Sequence, residues 1–199
     1  HADHIGGLID VIKEFQVHDF YMSRKIHTSK TYETLLDVAK AKGLKISAAK
    51  NDIVVNIETD IVLYFLGPLK DYQDDLNNWS AVVKMDHKAN SFLFTGDIEY
   101  VVEEDLMATY DSNFLQAQFL KVAHHGSSTS SSQRFLEIVQ PKVTVISNGK
   151  DNSYDHPHSE VMDRLRNLNV SIYSTEKQGT IVIKSDGNRI WSHKEPYYH

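Results

Sequence analysis

A chain of 199 residues, 41% hydrophobic and 24% charged, has the size and composition of one globular domain with a substantial core. No apolar run approaches the roughly 18–20 residues that a membrane-spanning helix needs, so the sequence predicts no membrane segment. The formal net charge of −6 argues against binding a long polyanion through bulk electrostatics alone. The chain has no cysteine, which excludes disulfides and thiolate ligands and leaves imidazole and carboxylate as metal donors.

Apolar spacing divides the chain into a first half rich in strands and a second half in which strands and helices alternate. The first half predicts helices at 5–15 and 31–41, strands at 17–22, 45–49, 53–58 and 61–66, a polar loop at 71–78, and a hairpin of 81–85 and 91–94. The second half predicts helices at 101–110, 132–139 and 159–168, strands at 119–123, 143–147 and 170–174, and a closing hairpin of 180–184 and 189–192. Such alternation is typical of a layered α/β fold.

Histidine and aspartate concentrate in four short clusters, of which the last three each follow an apolar run of strand length. The clusters are His1-Ala2-Asp3-His4, Thr95-Gly96-Asp97, His124-His125-Gly126-Ser127 and His156-Pro157-His158. An extended or turning backbone at the first cluster would direct alternate side chains to opposite sides. Imidazole and carboxylate suit zinc, manganese or iron, and a carboxylate can bridge two cations through its two oxygens. The clusters therefore predict one polynuclear metal site at the strand ends.

Each cluster also has an interpretation without chemistry. A chain-terminal histidine such as His1 is often the remnant of a purification tag, although tags do not run into a Gly-Gly turn and an amphipathic helix. Asp97 could cap the helix that follows it. One histidine of the adjacent pair could be packed and the other exposed, and proline favours a rigid turn in which one neighbouring histidine is a bystander. The histidines outside these settings are predicted to be ordinary surface or packed residues: His18, His27, His87, His193 and His199.

The ordered set of motifs resembles the metallo-β-lactamase superfamily. The His1-Ala2-Asp3-His4 stretch is similar to the last four residues of the family's His-x-His-x-Asp-His motif. More narrowly, the motifs at 95–97, at 120–127 (Leu-Lys-Val-Ala-His-His-Gly-Ser) and at 152–158 (Asn-Ser-Tyr-Asp-His-Pro-His) resemble the hydrolase domain of the ComEC/Rec2 competence proteins. The resemblance covers essentially the whole chain. It implies an α/β fold, the four-layer αβ/βα sandwich, with a binuclear centre between two sheets.

The resemblance also implies a role for each motif residue. One of two divalent ions, zinc or manganese, would be held by His1 and His125, and the other by Asp3, His4 and His156. Asp97 would bridge the two ions. Asp3 and His124 are implied as catalytic residues, with His124 beside the site, able to donate a proton or hold a substrate oxygen. Ser127 and His158 are implied as substrate contacts.

The chain is expected to be a single hydrolase domain over residues 1–199 that starts inside its own metal motif. The motif's first histidine and the strands that normally precede it would then lie outside this chain. A site short of one ligand binds metal more weakly, and an unpaired sheet edge tends to associate. We therefore expect lower activity and poorer stability than for a chain extended at its N-terminus.

The function that this resemblance implies is metal-dependent hydrolysis of a phosphodiester, with DNA as a candidate substrate, as in a competence-type nuclease used in DNA uptake. A second interpretation is a secreted phosphorylcholine-esterase-like or other small-ester hydrolase, which the acidic net charge slightly favours. A third is a catalytically silent binding domain. The resemblance favours an extracellular or cell-surface location and leaves a cytoplasmic one open. The sequence does not indicate the oligomeric state.

Overall fold

The computed structural model describes residues 1–198, so the prediction for His199 lies outside the described residues. The chain forms two compact units, an N-terminal unit, His1–Ala49, and a C-terminal unit from Lys50 onward. In the N-terminal unit two helices alternate with two short strands: α1 (Ala2–Glu14), β1 (Phe20–Met22), α2 (Lys30–Ala41) and β2 (Ile46–Ala48). The two strands pair in parallel, and the helices bury Ile12, Leu35 and Ala39. Helix α2 begins where the Ser29 hydroxyl accepts the N–H of Tyr32 at 3.3 Å.

The start of α1 corrects one expectation from the sequence. The first cluster was expected to be extended or turning, with the helix beginning at residue 5, whereas the helix begins at Ala2 with His1 as its N-cap. The N–H groups of His4 and Ile5 donate to the His1 carbonyl at 3.2 and 3.3 Å. A carboxylate in the first helical turn interacts favourably with the helix dipole, so Asp3 helps the helix to start here.

The C-terminal unit is built on one seven-stranded sheet whose strands lie side by side in chain order. Its strands are β3 (Ile53–Glu58), β4 (Ile61–Gly67), β5 (Val82–His87), β6 (Asn90–Phe94), β7 (Phe119–Lys121), β8 (Val143–Ile146) and β9 (Ser171–Ser174). Strands β3 to β6 pair antiparallel, and β6 to β9 pair in parallel. A hairpin of β10 (Ile183–Ser185) and β11 (Ile190–Ser192) follows.

Five helices belong to the same unit: α3 (Tyr100–Thr109), α4 (Ser112–Leu115), α5 (Gln133–Val139), α6 (Ser159–Asn167) and α7 (Thr175–Gln178). Their apolar faces share one core with the strands, since Leu106, Leu136 and Leu165 are fully buried in the same cluster as Leu93 and Leu120. The result is a mixed α/β structure with a large central sheet and flanking helices, which is consistent with the expected metallo-β-lactamase fold. Among residues 1–198, no helix combines the length and the apolar character needed to cross a bilayer.

Three short elements were not expected from the sequence. The polar stretch predicted as a loop contains a 3-10 turn at Asn77–Trp79, and α4 and α7 are single helical turns without an apolar period. Strand β7 is also shorter than predicted, because the chain leaves the sheet after Lys121 and forms a 3-10 turn at Ala123–Gly126.

A buried carboxylate connects α3 to the serine-rich segment that follows the His124-His125 pair. Glu103 is fully buried, and its carboxylate accepts the N–H groups of Ser131 and, at 2.9 Å, of Ser132. Arg164 on α6 donates to the carbonyls of Ser130 and Ser131 at 3.2 and 3.1 Å. Burial raises the pKa of Glu103, and the N–H donors and Arg164 act in the opposite direction. The serine-rich segment is therefore fixed through its N–H groups by Glu103 and through its carbonyls by Arg164.

Replacing Glu103 by glutamine should lower the free energy of unfolding by about 2–3 kcal/mol, because hydrogen bonds to a charged acceptor are lost and the new amide faces N–H donors. Urea unfolding followed by circular dichroism measures this change. Glu104→Gln is the matched control on the same helix. Glu104 is exposed and pairs with Arg134 on the surface, so we expect a change within about 0.5 kcal/mol. Equal effects of the two substitutions would contradict the role of Glu103.

Candidate metal centre

The parallel part of the central sheet brings three of the four His/Asp clusters to one edge. Thr95-Gly96-Asp97 directly follows β6, the His124-His125 pair follows β7, and the 156–158 cluster lies in the loop after β8. Neighbouring parallel strands end at the same edge of a sheet, which is where ligands bind in open α/β structures. The expectation that these clusters come together at strand ends is therefore met within the C-terminal unit.

Asp97 is placed by a tight turn at the end of β6. Gly96 has φ +57°, and a Cβ on it would lie 2.6 Å from Cβ of Ser80, so the turn has room only for glycine. The Ser80 hydroxyl accepts the N–H of Asp97 at 3.0 Å, and the Thr95 hydroxyl donates to the Lys121 carbonyl on β7 at 2.8 Å. The Asp97 carboxylate is 4% exposed. The residue that caps α3 is Glu99, so the alternative interpretation of Asp97 as a helix cap is wrong.

The His124-His125 pair lies in an unusual backbone conformation. Both residues are left-handed, with φ/ψ of 47°/45° and 55°/17°. Left-handed non-glycine residues cost free energy, persist only where the surroundings hold them, and cluster at functional sites. Here the N–H of His124 donates to the Gly96 carbonyl at 3.1 Å, and the His124 carbonyl accepts from Ser127 at 2.8 Å. This turn directs both imidazoles to the edge where Asp97 lies.

His125 is oriented for use of its Nε2 atom. Its Nδ1–H donates to the Ser147 carbonyl at 2.6 Å, and Nε2 lies 3.4 Å from a carboxylate oxygen of Asp97. The hydrogen bond to Asp97 raises the pKa of His125, against the lowering effect of burial. A backbone carbonyl on one ring nitrogen is the arrangement that orients histidine ligands of metals through the other nitrogen.

His156 belongs to a loop held by two asparagine side chains. Asn152 contacts both sides of the residue: its amide oxygen accepts the His156 N–H at 3.0 Å, and its NH₂ donates to the His156 carbonyl at 2.7 Å. Asn148, itself buried, donates to the same carbonyl at 3.2 Å. Burial, followed by the neighbouring histidines His158 and His124, lowers the pKa of His156 to about 4. The imidazole is therefore neutral near pH 7, the form that binds metals.

The loop of His156 and the turn of His124-His125 approach each other at Gly126. This glycine has φ +87°, and a Cβ on it would lie 2.6 Å from Cβ of Pro157. The His158 N–H donates to the Gly126 carbonyl at 3.0 Å. As a result, the ring centroids of His124 and His156 are 5.6 Å apart, and those of His125 and His156 are 6.4 Å apart. Three imidazoles therefore lie near one another, with the buried Asp97 carboxylate next to His125. Imidazole and carboxylate are donor types that suit a divalent transition metal.

Two implied substrate contacts lie in the loops beside this cluster. Ser127 is 4% exposed, and its hydroxyl accepts the Thr129 N–H at 3.3 Å. His158 accepts the Ser128 N–H through Nδ1 at 2.9 Å, and its Nε2 lies 3.1 Å from the Tyr154 carbonyl. Both side chains therefore hold loops in place, and contact with a substrate stays a prediction for them.

The first cluster lies in the N-terminal unit, at the start of α1. Within that unit, Nε2 of His4 is 3.5 Å from the Asp3 carboxylate, and the His1 ring lies edge-on to the His27 ring at 6.4 Å. His27 was predicted to be an ordinary residue, and its contacts with His1 and Tyr32 are aromatic packing. Shared metal binding by His1, Asp3 and His4 with the C-terminal unit stays a prediction from the motif.

Several residues that build the site were not singled out from the sequence. Ser80 is far from the motifs along the chain, Asn148 lies four residues before the motif at 152–158, and no local pattern marks either residue. Glu99 and Thr129, which contact His124, lie next to the motifs but carry no distinctive spacing. Asn152 belongs to the motif at 152–158, but the sequence assigned it no role. Its side chain makes two hydrogen bonds to the His156 backbone and so positions His156.

Comparisons with known proteins agree with the motifs. The sequence profile of the Metallo-beta-lactamase superfamily matches residues 1–150. The chain is 32% identical over 179 residues to ComE operon protein 3 of Bacillus subtilis, covering 90% of this chain and 23% of that protein. It is 37% identical over 117 residues to Competence protein ComA of Neisseria gonorrhoeae, covering 59% of this chain and 17% of that protein.

A third relative is Recombination protein 2 of Haemophilus influenzae, 34% identical over 114 residues, with 57% of this chain and 14% of that protein covered. The chain therefore spans less than a quarter of the length of these relatives. The profile match covers most of the chain, including the Asp97 turn and the His124-His125 pair. We conclude that the chain belongs to the metallo-β-lactamase superfamily.

Proposed function

We propose that this chain is a metal-dependent hydrolase that cleaves phosphodiester bonds, with DNA as its candidate substrate. The observation that carries the proposal is the cluster of Asp97, His124, His125 and His156 at the carboxyl edge of the parallel strands. Two relatives are named Competence protein ComA and Recombination protein 2, and these names support a DNA-related role. The net charge of −6 means that contact with a phosphodiester depends on the site itself.

The proposed metal ligands are His1, Asp3, His4, Asp97, His125 and His156, which would hold two divalent ions, zinc or manganese. Support for Asp97, His125 and His156 comes from their position at one edge of the sheet. For His125 it also comes from the hydrogen bond of its Nδ1 to the Ser147 carbonyl, which leaves Nε2 to bind metal. Support for the first three is the family motif. Bound divalent ions would activate water and neutralise charge on the attacked phosphate. Asp97, with two oxygens and little exposure, suits the bridging role.

The chain's own residues supply the remaining chemistry. His124 follows β7 beside His125 but makes a different set of contacts, so it is proposed to protonate the leaving oxygen instead of binding metal. Asp3 is proposed as the second catalytic residue. Proton donation by a positioned side chain contributes about 10²–10⁴-fold to the rate of such reactions.

The proposal predicts metal binding and metal-dependent turnover together. The purified chain should contain zinc or manganese by elemental analysis, and it should cleave bis-p-nitrophenyl phosphate and plasmid DNA. A chelator should abolish both activities, and added zinc or manganese should restore them. Cleavage of p-nitrophenyl phosphorylcholine without cleavage of DNA would favour the small-ester interpretation instead. Bound metal without any turnover would favour a silent binding domain, and a chain that binds no metal would contradict the proposal.

A further inference from the structure

The turn that carries His124 brings a hydroxyl and a carboxylate to the Nδ1 side of its ring. The Thr129 hydroxyl lies 3.4 Å from His124 Nδ1 and donates to the Glu99 carboxylate at 3.0 Å. The same carboxylate oxygen of Glu99 is 3.5 Å from Nδ1. Neither contact involves Asp97, His125 or His156.

The hydrogen-bond roles in this chain can be assigned from the atoms alone. A carboxylate only accepts, so the Thr129 hydroxyl must give its proton to Glu99. Its oxygen is then an acceptor toward the ring, and Nδ1 of His124 must be the donor. The chain of contacts is therefore consistent with one tautomer of the neutral imidazole, the form that carries hydrogen on Nδ1 and a lone pair on Nε2.

Both contacting residues are held firmly by their surroundings. The N–H of Glu99 donates to the side chain of Asn78, a buried residue, at 2.9 Å. The Thr129 N–H donates to the Ser127 hydroxyl at 3.3 Å, and the Thr129 carbonyl accepts from Tyr100 at 3.0 Å. The hydroxyl and the carboxylate are thus in place before any ligand binds, as an effective positioning group requires.

We propose that Glu99, acting through Thr129, is a positioning residue that fixes the ring orientation and the Nδ1–H tautomer of His124. The proposal rests on the function proposed above for the role of His124. As water oxygen bonds to phosphorus and loses its proton to solvent, the bond from phosphorus to the leaving oxygen breaks. His124 first takes a proton from solvent on Nε2. The leaving oxygen keeps the electron pair and takes this Nε2 proton, which returns His124 to the neutral form with its Nδ1–H directed to Thr129.

Nitrogen NMR of the imidazoles in the metal-free 199-residue chain tests the tautomer without reference to activity. At a pH at which the ring is neutral, His124 should show hydrogen on Nδ1 in the wild type. Thr129→Val keeps the side-chain shape and removes the acceptor, so the Nε2–H form should gain population. Thr109→Val, at an exposed position on α3, is the matched control and should leave His124 unchanged. A wild-type chain with hydrogen on Nε2 would overturn the proposal.

Hydrolysis of two substrates tests what the tautomer is for. Bis-p-nitrophenyl phosphate has a leaving group that departs without an acid, whereas the sugar oxygen of an oligonucleotide needs protonation. Glu99→Gln should lower kcat about 10-fold on the oligonucleotide and less than about threefold on the nitrophenyl ester. A general structural defect would lower both rates equally, and that result would overturn the role of Glu99.

A double substitution links the effect to the ring itself. In a chain that already carries His124→Ala, Glu99→Gln should cause no further loss on the oligonucleotide, because the group that Glu99 positions is gone. A further 10-fold loss in that background would overturn the proposal. Glu104→Gln is the matched control for charge and should change neither rate. If the wild type cleaves neither substrate, the proposed function fails, and the NMR result alone decides whether Glu99 and Thr129 position the ring.

Discussion

Replacing Asp97 with alanine should abolish hydrolysis and strongly reduce bound metal. The carboxylate is buried and lies 3.4 Å from Nε2 of His125. It is the only carboxylate of the clusters at 95–97, 124–127 and 156–158. Its loss removes the proposed bridge and the carboxylate that lies next to Nε2 of His125. We expect the rate to fall by more than about 100-fold, beyond the usual effect of losing an outer partner of a metal ligand. Elemental analysis and initial rates on bis-p-nitrophenyl phosphate measure both effects.

His87→Ala is the control for this prediction. His87 is the last residue of β5, just before the turn that leads to the first residue of β6. Its Nδ1 lies 2.9 Å from the Ser185 hydroxyl. Asp97 follows the opposite end of β6. Activity and metal content should therefore stay within a few fold of the wild type. Comparable losses from Asp97→Ala and His87→Ala would mean that the ligands are wrongly assigned.

Replacing Gly126 with alanine should disrupt the cluster without removing any of its donors. A Cβ at this position would lie 2.6 Å from Cβ and 3.0 Å from Cα of Pro157, and the backbone has φ +87°. Strain and the clash act together, so we expect the free energy of unfolding to fall by about 2–4 kcal/mol. Since His156 would move away from His124 and His125, the hydrolysis rate should fall as well, by more than about 10-fold.

Gly149→Ala is the matched control for the glycine. A Cβ at Gly149 would have the Cβ of Asn152 at 4.0 Å as its nearest neighbour, which is an ordinary contact. Stability should stay within about 0.5 kcal/mol of the wild type. Urea unfolding and initial rates compare the two variants. A Gly126→Ala chain as stable and as active as Gly149→Ala would show that the two loops do not need their close approach.

The order of strands and helices could be predicted from the sequence because each element carries its own local signal. The alternating segments of the second half correspond to α3, β7, α5, β8, α6 and β9, with boundaries shifted by one or two residues. The strand-end positions of Asp97 and His124 followed from the apolar runs before them. Residue types alone also limited the metal donors, since a chain without cysteine offers only imidazole and carboxylate.

Local signals failed where the backbone is determined by distant partners. Left-handed residues are usually glycine or asparagine, so the sequence does not predict this conformation for His124 and His125. The conformation depends on a hydrogen bond to the Gly96 carbonyl, some thirty residues away along the chain. The start of α1 at Ala2 was missed because the apolar stripe begins only at Ile5, while the first helical turn is polar.

The family, the strand ends that carry the chemistry and the available types of donor follow from the sequence. Which side chains meet, and how each ring is oriented, depends on the tertiary structure. The contacts of His125 with Ser147, of His156 with Asn148 and Asn152, and of His124 with Glu99 depend on loops of different strands converging at one sheet edge. Such convergence is a property of strand order and parallel pairing, which involve residues distant in the chain and leave no local pattern in it.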